Sequence, residues 1–329
     1  LEPVTIVLFA LGIVAITKGG DWFADGAVWF AAYSGLPKVL IGATLVSIAT
    51  TLPEFTVSFI AAWSGATDTA VGNAVGSTIA NIGLILAGAA LIQPVLAESR
   101  AFRVNGALMV LAAGLVLLIG RDGALTAGDG VLLLVAAVGY LAYQARSAGK
   151  LRRANQQDPS GAVSVPDRPS RAELPRNLGV FLLGGLLVVG GSRLVVSNGV
   201  ALARMLGVSE LVIALTLVSV GTSLPELVTA ITSARKGHSD LSAGNIIGAN
   251  ILDLTWVLAG ASLVRPLPMG SQVLRVDLPV SLLFMSLILL AFTSRRHVLG
   301  RGLAAGMLGA YGLYVAYLVR TGSLGPLSG

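Results

Sequence analysis

Cysteine is absent from the sequence, and histidine occurs twice, as His238 and His297. That excludes a disulfide framework and thiolate metal sites, and leaves little for the imidazole sites that zinc and copper favour. No Ser-His, Cys-His or His-Glu-x-x-His constellation is present, so the nucleophile–base pairs and metal-bound waters of hydrolases have no candidates, and an enzyme is not expected. Charge is also scarce: Asp, Glu, Lys and Arg make up 12% of the 329 residues, too few to cover a soluble domain of this length.

What the sequence has instead is apolar stretches of bilayer length, for which ~20 residues suffice. Ten are legible, near 3–30, 37–63, 68–92, 103–120, 127–144, 177–203, 209–234, 240–264, 277–293 and 300–319. The first lacks the basic start and cleavage site of a signal peptide and is expected to be a mature span. The expected fold is therefore all-α, a polytopic protein whose main partner is the lipid bilayer of a cell membrane.

The net charge of +6 could suggest nucleic acid, but its distribution argues otherwise. Arg146, Lys150, Arg152, Arg153, Arg168, Arg171 and Arg176 crowd one polar connector after the fifth span. With ten spans, Lys38, Arg100, Arg103, Arg235, Lys236, Arg295, Arg296 and Arg301 share its side, leaving Arg121, Arg204, Arg265, Arg275 and Arg320 on the other. The positive-inside rule then predicts a cytoplasmic connector and both termini outside. The connector, 145–176, is the expected boundary between a first unit at 1–144 and a second at 177–329.

Those units repeat. A shift of 172 residues lays 42–94 over 214–266 without a gap, about two positions in five being identical. Thr50-Thr51-Leu52-Pro53-Glu54 falls on Thr222-Ser223-Leu224-Pro225-Glu226, Gly72-Asn73 and Gly76 fall on Gly244-Asn245 and Gly248, and Asn81 falls on Asp253. Five spans per unit is an odd number, so corresponding spans must cross in opposite directions. Two inverted five-helix repeats related by an in-plane axis are a transporter architecture, with the binding site midway between them.

The repeated motif suits a cation. An acidic residue at the centre of a membrane helix costs ~2.5–3.5 kcal/mol on insertion scales, so Glu54 and Glu226 need a reason to be there. Pro53 and Pro225 each remove a helical N–H and displace the carbonyl four residues back, that of Ala49 or Gly221. Neighbouring carbonyls, including those of Thr50 and Thr222, can then turn toward a ligand. With the adjacent hydroxyls they form a set of hard oxygen donors suited to Ca²⁺, Mg²⁺ or alkali cations. One Ca²⁺, or two or three Na⁺, would balance the two carboxylates. Ser77 and Asn81 share a helix face at i, i+4, and Asp253 is a third acid whose protonated form burial and two nearby carboxylates favour. Asn73, Asn245 and Asn250 are expected to stitch helices together, Gly72 and Gly76 to pack, Asp21 and Asp25 to cap or snorkel, and the two histidines to sit plainly at the surface.

At these residues the chain resembles the cation/calcium exchanger superfamily, most closely its prokaryotic sodium/calcium exchangers. The likeness is strongest over 42–94 and 213–266, the counterparts of the family's two alpha-repeats. It implies alternating-access exchange of Ca²⁺ for Na⁺, one for three, with no cofactor. It also implies that the first and sixth helices slide as a pair. Calcium would be held by Glu54 and Glu226 with the Thr50 and Thr222 carbonyls. Sodium would use the same oxygens together with Ser47, Thr51, Ser77, Ser219 and Ser223, and Asn81 and Asp253 would complete the centre. Three departures from the family pattern stand out: Ala249 replaces a serine, Thr78 replaces an asparagine, and Ala49-Thr50-Thr51 replaces Gly-Thr-Ser. The first removes a hydroxyl from a Na⁺ site. Proton- or potassium-coupled exchange is the alternative within transport. A cation channel is the alternative outside it, disfavoured because channels usually gain symmetry by oligomerising. Nothing demands a second copy, and a monomer is the working expectation.

Overall fold

The computed structural model of the chain describes residues 3–97, 100–157, 170–205 and 219–323, without the side chains of 151–157, 200, 203, 204, 219, 220 and 321–323. Among these residues, nine helices are long and apolar enough to cross a membrane. We number the helices α1 (Pro3–Ser34), α2 (Lys38–Trp63), α3 (Thr67–Ile92), α4 (Arg100–Asp122), α5 (Ala127–Gln157), α6 (Leu174–Met205), α7, α8 (Ser239–Val264), α9 (Val273–Thr293) and α10 (Arg301–Ser323). Helix α7 is described as a turn, Ser219–Thr222, followed by Leu224–Arg235; the first half of the span expected at 209–234 lies outside the described residues. Helix α5 runs to Gln157, well beyond the expected end at 144, so the first part of the expected connector is helical.

Four two-residue strands reveal the inversion without reference to charge. β1 (Val95–Leu96) follows α3 and pairs antiparallel with β4 (Val298–Leu299), which follows α9. β2 (Ala124–Leu125) follows α4 and pairs with β3 (Leu267–Pro268), which follows α8. Thus α3 and α9 end at one face, while α4 and α8 end at the other. Since α4 starts where α3 ends, the two faces are opposite, and α3 and its sequence counterpart α8 cross in opposite senses. The registers are equivalent too: Val95 lies across from Leu299 as Leu267 does from Leu125. The β1–β4 face is the basic one, where Arg301 caps the end of α3 by donating to the carbonyls of Leu91 (2.9 Å) and Ile92 (3.2 Å).

Helices α3 and α8 are the most enclosed and α10, α1 and α5 the least. Buried Ile79, Ile82, Ile85, Ile246 and Leu254 fill the space between the repeats. Outside this centre, α1 and α6 pack along a glycine seam. A Cβ on Gly12 would stand 3.0 Å from the Gly191 carbonyl oxygen, and one on Gly19 2.8 Å from that of Gly184, so the pair is antiparallel and in backbone contact. At the basic end of the pair, Asp21 and Asp25 do not simply cap or snorkel. Both bind Lys236 after α7, at 3.3 and 2.8 Å.

Candidate ion-binding centre

Helices α2 and α7 bring one acid each to the middle, and α3 and α8 supply the amides around them. The two prolines act differently. Helix α2 continues through Pro53, whereas α7 is interrupted at Ser223 and restarts with Pro225 in its first turn. The same Leu-Pro-Glu thus sits inside a continuous helix in one repeat and at a helix start in the other. Wider π-helical turns occur where no sequence rule foretold them: at Gly42–Val46 in α2, and at the symmetry-related Asn81–Leu86 and Asp253–Val257 in α3 and α8. Such turns loosen the backbone ladder and frequently mark functional sites. Here two of them begin at Asn81 and Asp253.

Glu54, Glu226 and Asp253 are each 1% exposed. Ser223 Oγ bridges the repeats, lying 3.2 Å from Glu54 Oε1, to which it donates, and 3.3 Å from Ser77 Oγ. The Thr50 hydroxyl, beside Glu226, donates to Asn245 Oδ1 at 3.2 Å. Asn81 Nδ2 donates to Asn250 Oδ1 (2.9 Å) and reaches Asp253 Oδ2 (3.4 Å). Ser47 and Thr51 are fully buried nearby, with Ser47 Oγ donating to the Thr44 carbonyl. Thr222 is half-buried at the interruption of α7; Ser219 lies in the same helix, but its side chain is outside the description.

The remaining asparagines stitch helices, as expected. Asn250 Nδ2 donates to the Thr78 carbonyl at 3.3 Å, and Asn73 Nδ2 donates to Ser58 Oγ at 2.9 Å and to the Glu54 carbonyl at 3.2 Å. Asn73 thus also fixes the backbone that carries Glu54, a link that sequence could not reveal. The Thr78–Ser281 contact, 2.7 Å, adds α9 to the wall. Glycine packing appears in the second copy, where a Cβ on Gly248 would meet Ala43 Cα at 2.7 Å. Gly72 and Gly76 have no described neighbour within 4 Å of that position. The histidines do more than sit at the surface. His238 Nδ1 is 2.8 Å from Lys38 Nζ, and His297 Nδ1 is 2.9 Å from the Phe292 carbonyl.

Several oxygens of this centre have no hydrogen-bond partner among the described residues: Glu54 Oε2, both Glu226 carboxylate oxygens, Asp253 Oδ1, Asn81 Oδ1 and Thr51 Oγ1. Most are pure acceptors, and no Lys, Arg or His pairs with any of the three acids among the described residues. Unpartnered buried acceptors are costly in a protein interior and worse in a bilayer. A bound cation would satisfy them where an anion would not.

The sodium/calcium exchanger protein family matches residues 4–146 and 176–320. The chain is a member of that family. Whole-length relatives agree: the inner membrane protein YrbG of Escherichia coli is 36% identical over 94% of this chain and 95% of its own. The sodium/calcium exchanger MaX1 of Methanosarcina acetivorans is 32% identical over 96% of this chain and 98% of its own. Among solved structures, the sodium-calcium exchanger NCX_Mj soaked with 10 mM Na⁺ superposes with a TM-score of 0.84 at 30% identity, covering 97% of this chain and 100% of that one. The exchanger is thus a transporter rather than an enzyme, a multi-pass cation/Ca²⁺ antiporter of two inverted five-helix repeats.

Proposed function

We propose that this exchanger carries Ca²⁺ in one direction and Na⁺ in the other, one for three, by alternating access at a single centre. The observation that carries the reading is the set of buried, unpartnered acceptor oxygens on Glu54, Glu226, Asp253, Asn81 and Thr51. Glu54 and Glu226, with the Thr50 and Thr222 carbonyls, hold Ca²⁺. Na⁺ ions use these oxygens together with Ser47, Thr51, Ser77, Ser219 and Ser223, while Asn81 and Asp253 form the middle. Two carboxylates bring −2 into the membrane, which one Ca²⁺ cancels and Na⁺ ions also offset. A loaded centre can therefore cross between faces and an empty one cannot. Competition for one pair of carboxylates couples the two ions without any mechanical link. Access switches as α1 and α6 slide together against the remaining helices, with the basic β1–β4 face cytoplasmic and both termini outside.

Proton coupling has one observation behind it. Ala249 is fully buried in α8 with no hydroxyl to offer Na⁺. An outward Na⁺ gradient across proteoliposomes, with pH and K⁺ clamped, is expected to drive ⁴⁵Ca²⁺ uptake that Glu54→Gln or Glu226→Gln abolishes. Uptake that responds only to an imposed proton gradient would overturn the sodium assignment and support the second reading.

A further inference from the structure

Arg193 lies well inside α6, and its guanidinium makes no hydrogen bond or ion pair among the described residues. A charge at such depth is costly unless it serves a water-filled path or a partner. Its side chain is exposed and borders two cavities. The larger, about 420 Å³, lies between α6 and the central helices and is walled by Pro53 and Val57 of α2 and by Gly221, Thr222 and Pro225 of α7. It therefore reaches the residues directly before both glutamates and one of the expected carbonyl donors. The second, about 240 Å³, continues along α2 past Ala49, Leu52 and Thr56. Arg193 is the one charged residue among the described residues lining either cavity. Beside a centre that attracts cations, the approach thus carries a fixed charge of the opposite sense to that expected for steering them inward.

We propose that Arg193 sets how strongly the centre distinguishes divalent from monovalent ions on this approach, and favours release of Ca²⁺ through it. The argument is electrostatic. A fixed positive potential raises the energy of an ion in proportion to its charge number, so its effect on Ca²⁺ affinity is the square of its effect on each Na⁺. A purely steric or structural role has no reason to follow that relation. The proposal rests on the exchange reading above, and the measurement keeps their failures apart.

The test is equilibrium binding of ⁴⁵Ca²⁺, and its displacement by Na⁺, on the purified full chain in nanodiscs. Arg193→Gln is expected to tighten half-saturation by Ca²⁺ about tenfold and by Na⁺ about threefold, the square-root relation for a single charge removed from beside the centre. Arg193→Lys should match the unmutated chain, and Arg193→Glu should move both constants further along the same relation. Arg193→Met is a second neutral variant should the glutamine not fold. Neutral variants that leave both constants unchanged, or that shift Ca²⁺ and Na⁺ by the same factor, would overturn the proposal, provided that the unmutated chain binds Ca²⁺ and Glu54→Gln does not. Persistent binding in Glu54→Gln would instead overturn the exchange reading on which it rests.

Discussion

Glu54 and Glu226 each follow a proline, are 1% exposed, and have no cationic partner among the described residues. Their immediate surroundings nevertheless differ. Glu54 receives a hydrogen bond from Ser223 and has its own carbonyl held by Asn73, while both carboxylate oxygens of Glu226 are unpartnered. Ser223 ties Glu54 to Ser77, so its loss should act on the monovalent sites. Ser223→Ala is expected to weaken Na⁺ half-saturation of transport about tenfold, since a hydrogen bond to a charged group is worth about 1.5–3 kcal/mol. Ca²⁺ half-saturation should shift less, because Ser223 is a proposed Na⁺ ligand and reaches the Ca²⁺ ligands only through its hydrogen bond to Glu54 Oε1. The converse change is Ala249→Ser. Restoring a hydroxyl in α8 should steepen the Na⁺ dependence of Ca²⁺ uptake, and an unchanged steepness would remove that position from the sodium sites.

The helices that form this centre were legible in the sequence to different depths. Glu54 and Glu226 stood out because a costly residue occurs twice at a constant offset in apolar surroundings. The π-helical turns at Asn81 and Asp253 did not, because they depend on backbone register rather than on residue type. The break of α7 without a matching break of α2 was hidden for the same reason, since both carry the same Leu-Pro-Glu. Asp21 and Asp25 looked like end groups because their partner, Lys236, is distant in sequence.

The turn joining α7 to α8 carries a pH prediction. Burial and the Lys38 ammonium hold the His238 imidazole below its ordinary pKa of about 6.5. The folded protein therefore binds fewer protons at His238 than the unfolded chain. The neutral-His stabilisation is present above pH ~6.5 and is lost as pH falls through and below that value. In detergent the melting temperature should drop between pH 7 and pH 5 by more in the unmutated chain than in His238→Gln; equal drops would take His238 out of the account. The glycine seam makes a separate demand. Gly19→Leu should destabilise by overpacking α1 against α6, by about 1–3 kcal/mol, because even a Cβ there would stand 2.7 Å from Leu187 Cβ.

Across the whole molecule, two β-ladders at opposite faces record the inversion, and most of the basic side chains fall on the face of one of them. Charge bias and backbone topology thus sort the loops the same way from independent information. The absence of cysteine makes the proposed orientation directly readable with single-cysteine variants. Gly270 and Gly300 lie on opposite faces with open space at the Cβ position. Gly270→Cys should react with an impermeant maleimide added to intact cells, and Gly300→Cys only after lysis; the reverse pattern would invert the assigned topology.

The central claim is that Ca²⁺ and Na⁺ compete for one buried pair of carboxylates. Equilibrium binding of ⁴⁵Ca²⁺ to the purified chain, titrated with Na⁺, tests it most directly. The account predicts a single Ca²⁺ per chain, displaced fully and with a steepness above one by Na⁺, and no saturable binding in Glu54→Gln or Glu226→Gln. Ca²⁺ that stays bound at saturating Na⁺, or that binds normally to either variant, would contradict it.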